Sequence, residues 1–427
     1  MAPKKRQRPG KESMNEESNE PQDTNWTHKE KTSRSDFERI IVHPTRFVDR
    51  FFLRQMGLAE GVDDLLQRIG MSCLKDMYYP TFEEETKDFL STVKVEYKDP
   101  KDKVASQGLM TFKIGNKGYG LTIFDICEVY GFNKGEAVSF DTFHGASDLW
   151  NRIANGNYRT NGAKMTGIRN PVIRYVCKLL ANTFFARKDA GAVTLKELCL
   201  LYQGLKHLLI DMRGVLLEYE FGDEINYGSI FASNLLQFRK WAETTTNPDL
   251  YIGGMLTPLF EKAGVDLSNS RELPDMAYLG RDYLIISRFL KATSDLNALH
   301  YNIQLRDKTK RIFVLPQPDK TNILTLTNVK FEVGEEDLLQ EDQGPMGLRD
   351  SDGEGAAEPR DYLDELNMIQ MPDIEFTART KREKLIQAAY KAQRKINEIQ
   401  KKLLAKLFRK VKKLQPPDYV SSEDEAE

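Results

Sequence analysis

The stretch Asn170-Pro171-Val172-Ile173-Arg174-Tyr175-Val176-Cys177-Lys178-Leu179-Leu180-Ala181-Asn182-Thr183-Phe184 decides the kind of fold this 427-residue chain adopts. Pro171 suits the first turn of a helix, where its missing N–H costs nothing. Behind it Val172, Ile173, Val176, Leu179, Leu180, Thr183 and Phe184 return at helical spacing. Thr194-Leu195-Lys196-Glu197 opens a second helix that runs to Ile210. Further helices are expected over 227–242 and 281–293, and a short one around Trp150, Ile153 and Ala154.

Upstream, Phe37, Ile40, Ile41, Phe47, Phe51 and Phe52 recur at helical spacing, with Pro44 breaking the run. An amphipathic piece through Asp63, Leu65, Leu66 and Ile69 ends at Gly70. Thr81 is expected to cap a helix ending near Leu90, with Glu84 at the capping-box position. The clear strand signal of the first half is the alternation of Val93, Val95 and Tyr97, then of Met110, Phe112 and Ile114. Gly115-Asn116-Lys117-Gly118 is turn chemistry, and Thr122 starts a capped helix that stops at Gly131. Short strands are expected over 301–305 and 311–315. The fold class is therefore mainly α with a small antiparallel β element, an α+β body over 36–330, divisible into 36–165 and 166–330.

The ends differ in composition. Residues 1–35 carry almost no apolar content and are expected to be disordered. Within them Lys4, Lys5, Arg6 and Arg8 form a short basic cluster of the nuclear-import type, or serve solubility alone. Residues 331–376 form an acidic linker, 377–414 a basic coiled-coil helix and 415–427 an acidic tail. Between Glu332 and Glu375 fifteen acidic residues face only Arg349 and Arg360; between Arg379 and Lys413 fourteen basic residues face only Glu383 and Glu398. The near balance of 62 Lys+Arg against 64 Asp+Glu hides this split. Leu385, Ala389, Ala392, Ile396, Ile399 and Leu403 alternate spacings of four and three, a coiled-coil seam that Leu407, Val411 and Leu414 extend after a stutter. The candidate nucleic-acid contacts are Lys391, Arg394, Lys395, Lys401, Lys402, Lys406, Arg409, Lys410, Lys412 and Lys413. Self-association through 385–414 would double them. The acidic block would compete with nucleic acid for this helix. Ser421 and Ser422 precede acids, an acid-directed phosphorylation pattern.

The greasiest stretch, 198–210, is interrupted by Tyr202, Gln203, Lys206 and His207, so no membrane span is expected. No apolar region follows the basic N-terminus, so secretion is not expected. The scattered Cys73, Cys127, Cys177 and Cys199 read as reduced, buried thiols of a nuclear or cytoplasmic protein, the nucleus slightly favoured.

The segment from Ile168 to Arg187 is similar to the first-open-reading-frame proteins of Athila-type plant retrotransposons, of the Gypsy class. Glu84 to Thr92, Gly118 to Thr122 with Gly131-Phe132, and Gly253 to Pro258 agree with it in order, covering about 40–310. The strand-turn-helix with Leu121, Thr122, Asp125 and Gly131 also resembles the plant mobile domain. The resemblance implies a gag-like or accessory retroelement product and brings no catalytic residue set.

Enzyme signatures are absent from the sequence. There is no Asp-Thr-Gly or Asp-Ser-Gly triplet, no Tyr-x-Asp-Asp box, no zinc knuckle and no Cys pair spaced for metal. Cys199 and His207 lie two turns apart, out of reach of each other, and His207 with Asp211 reads as a structural pair. The glycines of 115–120 lack the Walker spacing and read as a hairpin. Arg169, Arg174, Lys178, Arg187 and Lys188, near Tyr175, Phe184 and Phe185, read either as RNA contacts or as a solvated face over an apolar core. The expectation is a non-enzymatic, self-associating, RNA- or DNA-binding protein without cofactor, metal or small-molecule substrate. The alternative is a nuclear chromatin- or DNA-associated factor derived from a transposable element.

Overall fold

The computed structural model describes residues 22–23, 25–140, 143–160, 162–188, 190–209, 225–246, 248–293, 295, 297–305 and 309–340. The chain divides after Asp342 into two units, and all of these residues lie in the first. In chain order the elements begin with β1 (Gln22–Asp23), α1 (His28–Phe37), β2 (Ile41–Val42), β3 (Arg46–Phe47), α2 (Arg50–Gln55), α3 (Ala59–Ile69), α4 (Glu83–Thr92) and β4 (Lys94–Tyr97). Next come β5 (Gly108–Ile114), β6 (Lys117–Thr122), α5 (Ile123–Tyr130), α6 (Ala146–Ile153), α7 (Pro171–Asn182) and α8 (Leu195–Leu205). The remainder are α9 (Tyr227–Thr244), β7 (Asp249–Leu250), α10 (Gly253–Lys262), β8 (Ala277–Tyr278), α11 (Arg281–Ile286), β9 (Leu299–Gln304), β10 (Lys310–Leu315), α12 (Pro318–Thr321), α13 (Leu326–Lys330) and β11 (Leu338–Gln340). This is an α+β body in which helix outweighs strand.

Local chemistry sets many of these boundaries. Thr122 accepts from the Asp125 amide while the Asp125 carboxylate accepts from the Thr122 amide, and Thr194 and Glu197 repeat the reciprocal arrangement at α8. β5 and β6 form a hairpin in the register Ile114↔Lys117 and Phe112↔Tyr119, closed by Gly115 at φ 56° and Asn116. The glycine-rich 115–120 stretch is thus a hairpin. β4 and β1 extend it into an antiparallel sheet ordered β1-β6-β5-β4. Its inner face packs through Phe112 on Phe89 of α4, 4.8 Å between ring centres, and Phe89 meets Phe260 of α10. A second antiparallel sheet, β11-β10-β9, closes the other end. One apolar cluster runs from Phe37 to Phe331 through both 36–165 and 166–330.

The Gly253-Gly254 pair admits no side chain: a Cβ on Gly253 would lie 2.4 Å from Thr81 and one on Gly254 2.9 Å from Phe47. These glycines let the start of α10 sit directly on the segments before α2 and α4.

Several expectations are corrected. Helix α1 begins at His28, inside the 1–35 stretch expected to be disordered. Its order comes from a Thr27–Glu30 capping box and from ion pairs that pattern cannot reveal: Arg34 to Asp88 and Glu84, and Glu30 to Lys113 at 2.9 Å. The run from Ile40 to Phe47 is extended, because Ile41-Val42 pair in parallel with Asp249-Leu250 and Arg46-Phe47 with Ala277-Tyr278. Thr81 does not cap α4; Phe82 is the N-cap, without a side-chain bond, and the helix reaches Thr92. α8 stops at Leu205, followed by a 3-10 turn over Lys206–Leu208. α11 stops at Ile286 because Arg288 turns left-handed, at φ 57°. The acidic stretch expected to be linker starts with β11, paired to β10. The basic coiled-coil helix over 377–414 lies outside the described residues, as do the tail beyond it and the rest of the linker.

Burial opposes ionisation of Glu30, but the Lys113 ammonium and the Thr27 donors outweigh it and hold the carboxyl at about 2. Because this lies below its ordinary 4.5, the pairing stabilises α1 fully above that value and is lost as pH falls through about 2. Amide protection in residues 28–37, measured against the intrinsic exchange rate at each pH, should fall across that window, and Glu30→Gln should lower it already near neutral pH. Protection insensitive to both would contradict the assignment.

Candidate functional site

The cations of the central helix are turned inward. Asn170 caps α7 by accepting from Val172 and Ile173 N–H, while its Nδ2 donates to the carbonyls of Thr321 and Asn328. One turn along, Arg174 is 0% exposed. Its Nη1 donates to the Asn302 carbonyl at 2.8 Å and its Nη2 to the Arg288 carbonyl at 2.6 Å. The guanidinium lies 5.4 Å from the ring centres of both Phe289 and Tyr301. Arg169 donates in the same manner to the carbonyls of Arg152, Ala154 and Lys330. Lys178 is also buried, its ammonium 5.7 Å from the Tyr283 ring centre. Burial, with Arg174 beside it, lowers the Lys178 ammonium to about 7. Neither sequence reading holds for Arg169, Arg174 and Lys178: they are no RNA contact and no solvated face, but internal donors to backbone carbonyls or aromatic faces.

Arg187 and Lys188 behave differently. The chain leaves α7 through Ala186 at φ 36°, which sends both toward a cleft of about 660 Å³ between the end of α7, the start of α8 and the face of α9. Arg187 pairs with Glu197 at 2.6 Å, and Lys188 is paired with Asp249. The floor is apolar, with Phe185, Leu195 and Phe238, and Trp241 stands 37% exposed at the edge. Lys196 donates to Asn234 Oδ1 at 3.0 Å. Its ammonium is lowered by burial.

At Asp249 the cleft adjoins a band of rings gathered around the Arg46 guanidinium. His43 Nε2 lies 3.2 Å from the Asp249 carboxylate and its ring stacks on Tyr251 at 4.7 Å. Arg46 lies 4.9 Å from the Tyr251 ring centre and 5.1 Å from that of Tyr283. The parallel pairings β2–β7 and β3–β8 place these residues: the first sets His43 beside Asp249 and Tyr251, the second fixes Arg46. The Lys188 ammonium, against burial and helped by His43, holds the Asp249 carboxyl below its ordinary range.

Among the described residues no group of three His, Cys, Asp or Glu is placed to hold a metal ion. Burial pushes the Cys73 and Cys199 thiols up to about 12 and raises Cys127 and Cys177, so none is a ready thiolate at neutral pH. No helix among the described residues is long and apolar enough to cross a membrane. Asp211, offered as partner of His207, lies outside the described residues. So do Lys4, Lys5, Arg6 and Arg8, and the ten cations from Lys391 to Lys413. Lys196, Asn234, Trp241, His43, Arg46, Tyr251 and Tyr283 were not singled out by sequence; they come from separated segments and carry no local motif.

Comparison with family models defines a class first: this is a retrotransposon-derived protein. The chain belongs to the ATHILA ORF-1 family, whose model matches residues 4–425. Neither a curated protein nor a solved structure matches it. The segments that carried the resemblance are structural: α4, the β6–α5 turn, α7 and the glycine start of α10.

Two outcomes are expected. Arg174→Met should destabilise the protein by about 1–3 kcal/mol for each carbonyl left without a donor, read by denaturant unfolding; a neutral effect would return Arg174 to the surface. Lys178 binds its proton less readily in the folded chain, about 7 against an ordinary 10.5, so its burial costs stability fully below pH 7 and progressively less above. Lys178→Met should therefore stabilise most at or below neutral pH, with the gain shrinking as pH rises toward 10.5. A gain that does not change with pH would contradict a buried, titrating ammonium.

Proposed function

We propose that the protein is a non-enzymatic, gag-like retroelement component that self-associates and holds nucleic acid through its basic C-terminal segment. One observation carries this: fourteen Lys and Arg against two Glu between Arg379 and Lys413, in a sequence whose apolar residues recur at coiled-coil spacing. Like charges so dense repel one another, and a polyanion relieves the repulsion. Membership of a retrotransposon family supports the reading. The body supports it indirectly, since Arg169, Arg174 and Lys178 are committed to internal contacts and are not free to meet phosphates. Pairing of two chains along 385–414 would align two basic faces on one polymer.

The second reading, a nuclear DNA-associated factor, is favoured by Lys4, Lys5, Arg6 and Arg8. Sedimentation separates the two: large RNA-containing assemblies support the gag-like reading, discrete dimers on duplex DNA the nuclear one.

RNA affinity of the full chain should fall with salt at a log–log slope of about −5, for about six neutralised phosphates. Replacing Lys391, Arg394, Lys395, Lys401, Lys402, Lys406, Arg409, Lys410, Lys412 and Lys413 by Gln should remove most of that slope. A slope unchanged by the replacement would remove the proposal.

A further inference from the structure

We infer that the cleft between α7, α8 and α9 takes one base of a single-stranded nucleic acid, whose backbone continues along the His43–Arg46 band. This goes beyond the reading above and stands on different residues, none of them in the C-terminal segment.

The first support is an orphaned amide. Asn234 is 5% exposed and lines the cleft. Lys196 is a donor without acceptor capacity, so its bond fixes Oδ1 as the atom facing the ammonium and leaves Nδ2 to point elsewhere. Nδ2 finds no acceptor among the described residues. A buried donor of this kind costs about 1–3 kcal/mol unless something accepts from it. The edge of a nucleobase carries such acceptors, and an amide is a usual reader of them; Nδ2 is itself covered, so a base meets it once the Asn234 side chain turns toward the cleft. Gln237, one turn further along α9, lines the same cleft and adds a second amide.

The second support is the match of the remaining surface to a flat ring with a phosphate attached. Phe238 and the exposed Trp241 offer apolar faces on which a base stacks, at about 1–3 kcal/mol per base. Lys196 brings positive charge to the floor, and Lys188 at the rim is held by Asp249 until a phosphate competes for it. The volume, about 660 Å³, suits a bound nucleotide.

The third support selects a strand over a free nucleotide. Asp249, whose charge is offset by Lys188, joins the cleft to a band of rings gathered around one guanidinium: His43, Tyr251, Arg46, Tyr283. A single nucleotide has no use for so long a track. Aromatic rings beside a guanidinium are what a sequence-tolerant single-strand path uses.

The test uses the full chain. The protein is irradiated with a 4-thiouridine-substituted oligouridine, and crosslinked peptides are identified by mass spectrometry; a parallel arm uses 4-thiouridine monophosphate. The expected result is crosslinks on the α9 peptide carrying Phe238 and Trp241, from the oligonucleotide and only weakly from the mononucleotide. Trp241→Leu and Asn234→Leu should each lower that crosslink about five-fold or more, as the loss of a 1–3 kcal/mol contact implies, while crosslinks within 377–414 persist. Trp241 is partly exposed, so its variant should keep the thermal midpoint of the parent even if the Asn234 variant does not. Crosslinks confined to 377–414, labelling of α9 by the mononucleotide but not the strand, or full labelling of the Trp241 variant would each overturn the inference. Loss of the 377–414 crosslinks alone would instead count against the function proposed above.

Discussion

The body is organised around a guanidinium taken out of water. Desolvating such a charge costs several kcal/mol unless donors and acceptors are arranged around it. Arg174 meets that cost with two carbonyls and two ring faces, and each demands something of a distant segment. The Arg288 carbonyl is presented by a left-handed residue that ends α11; the Asn302 carbonyl belongs to β9. Arg169 makes the same demand on the carbonyls of Arg152, Ala154 and Lys330. α7 and the residue before its cap are thereby tied to the end of α6, to the segments at Arg288 and Asn302 and to the end of α13, and the rest of the core closes around them.

That arrangement explains how far the sequence could be read. Elements specified within a few residues were legible: the capped start at Thr122, the helix start at Thr194, the Gly115-Asn116 hairpin, the stop of α5 at Gly131, the alternation in β4 and β5, and the short strands β9 and β10. α1 was not, because its residues are polar and its order depends on Asp88, Glu84 and Lys113, remote in the chain. The 40–47 run has apolar residues at spacings that suit a helix, and only pairing with β7 and β8 makes it extended. The direction of Arg169, Arg174 and Lys178 was illegible for the same reason, since a cation on an apolar helix looks alike whether it faces water or remote carbonyls. Of the cleft, sequence reasoning reached Arg187 and Lys188 but missed Asn234, Lys196 and Trp241, which three separate elements bring together.

The two populations of basic side chains therefore divide the labour. Arg174 on α7 and Arg169 just before it tie the body together, Lys178 is buried beside them at a cost in stability, and the three leave little charge for a ligand. Those at the rim of the cleft, on the His43–Arg46 band and in the C-terminal run are the ones proposed to meet phosphate.

The most direct measurement of this division is a lysine-reactivity footprint of the full chain, with and without single-stranded RNA, resolved residue by residue. The account predicts that Lys178 resists modification in both states, that Lys188 and the lysines from Lys391 to Lys413 react in the free protein, and that RNA protects the latter two groups. Rapid modification of Lys178 in the free protein, or C-terminal lysines as reactive with RNA as without it, would contradict the account.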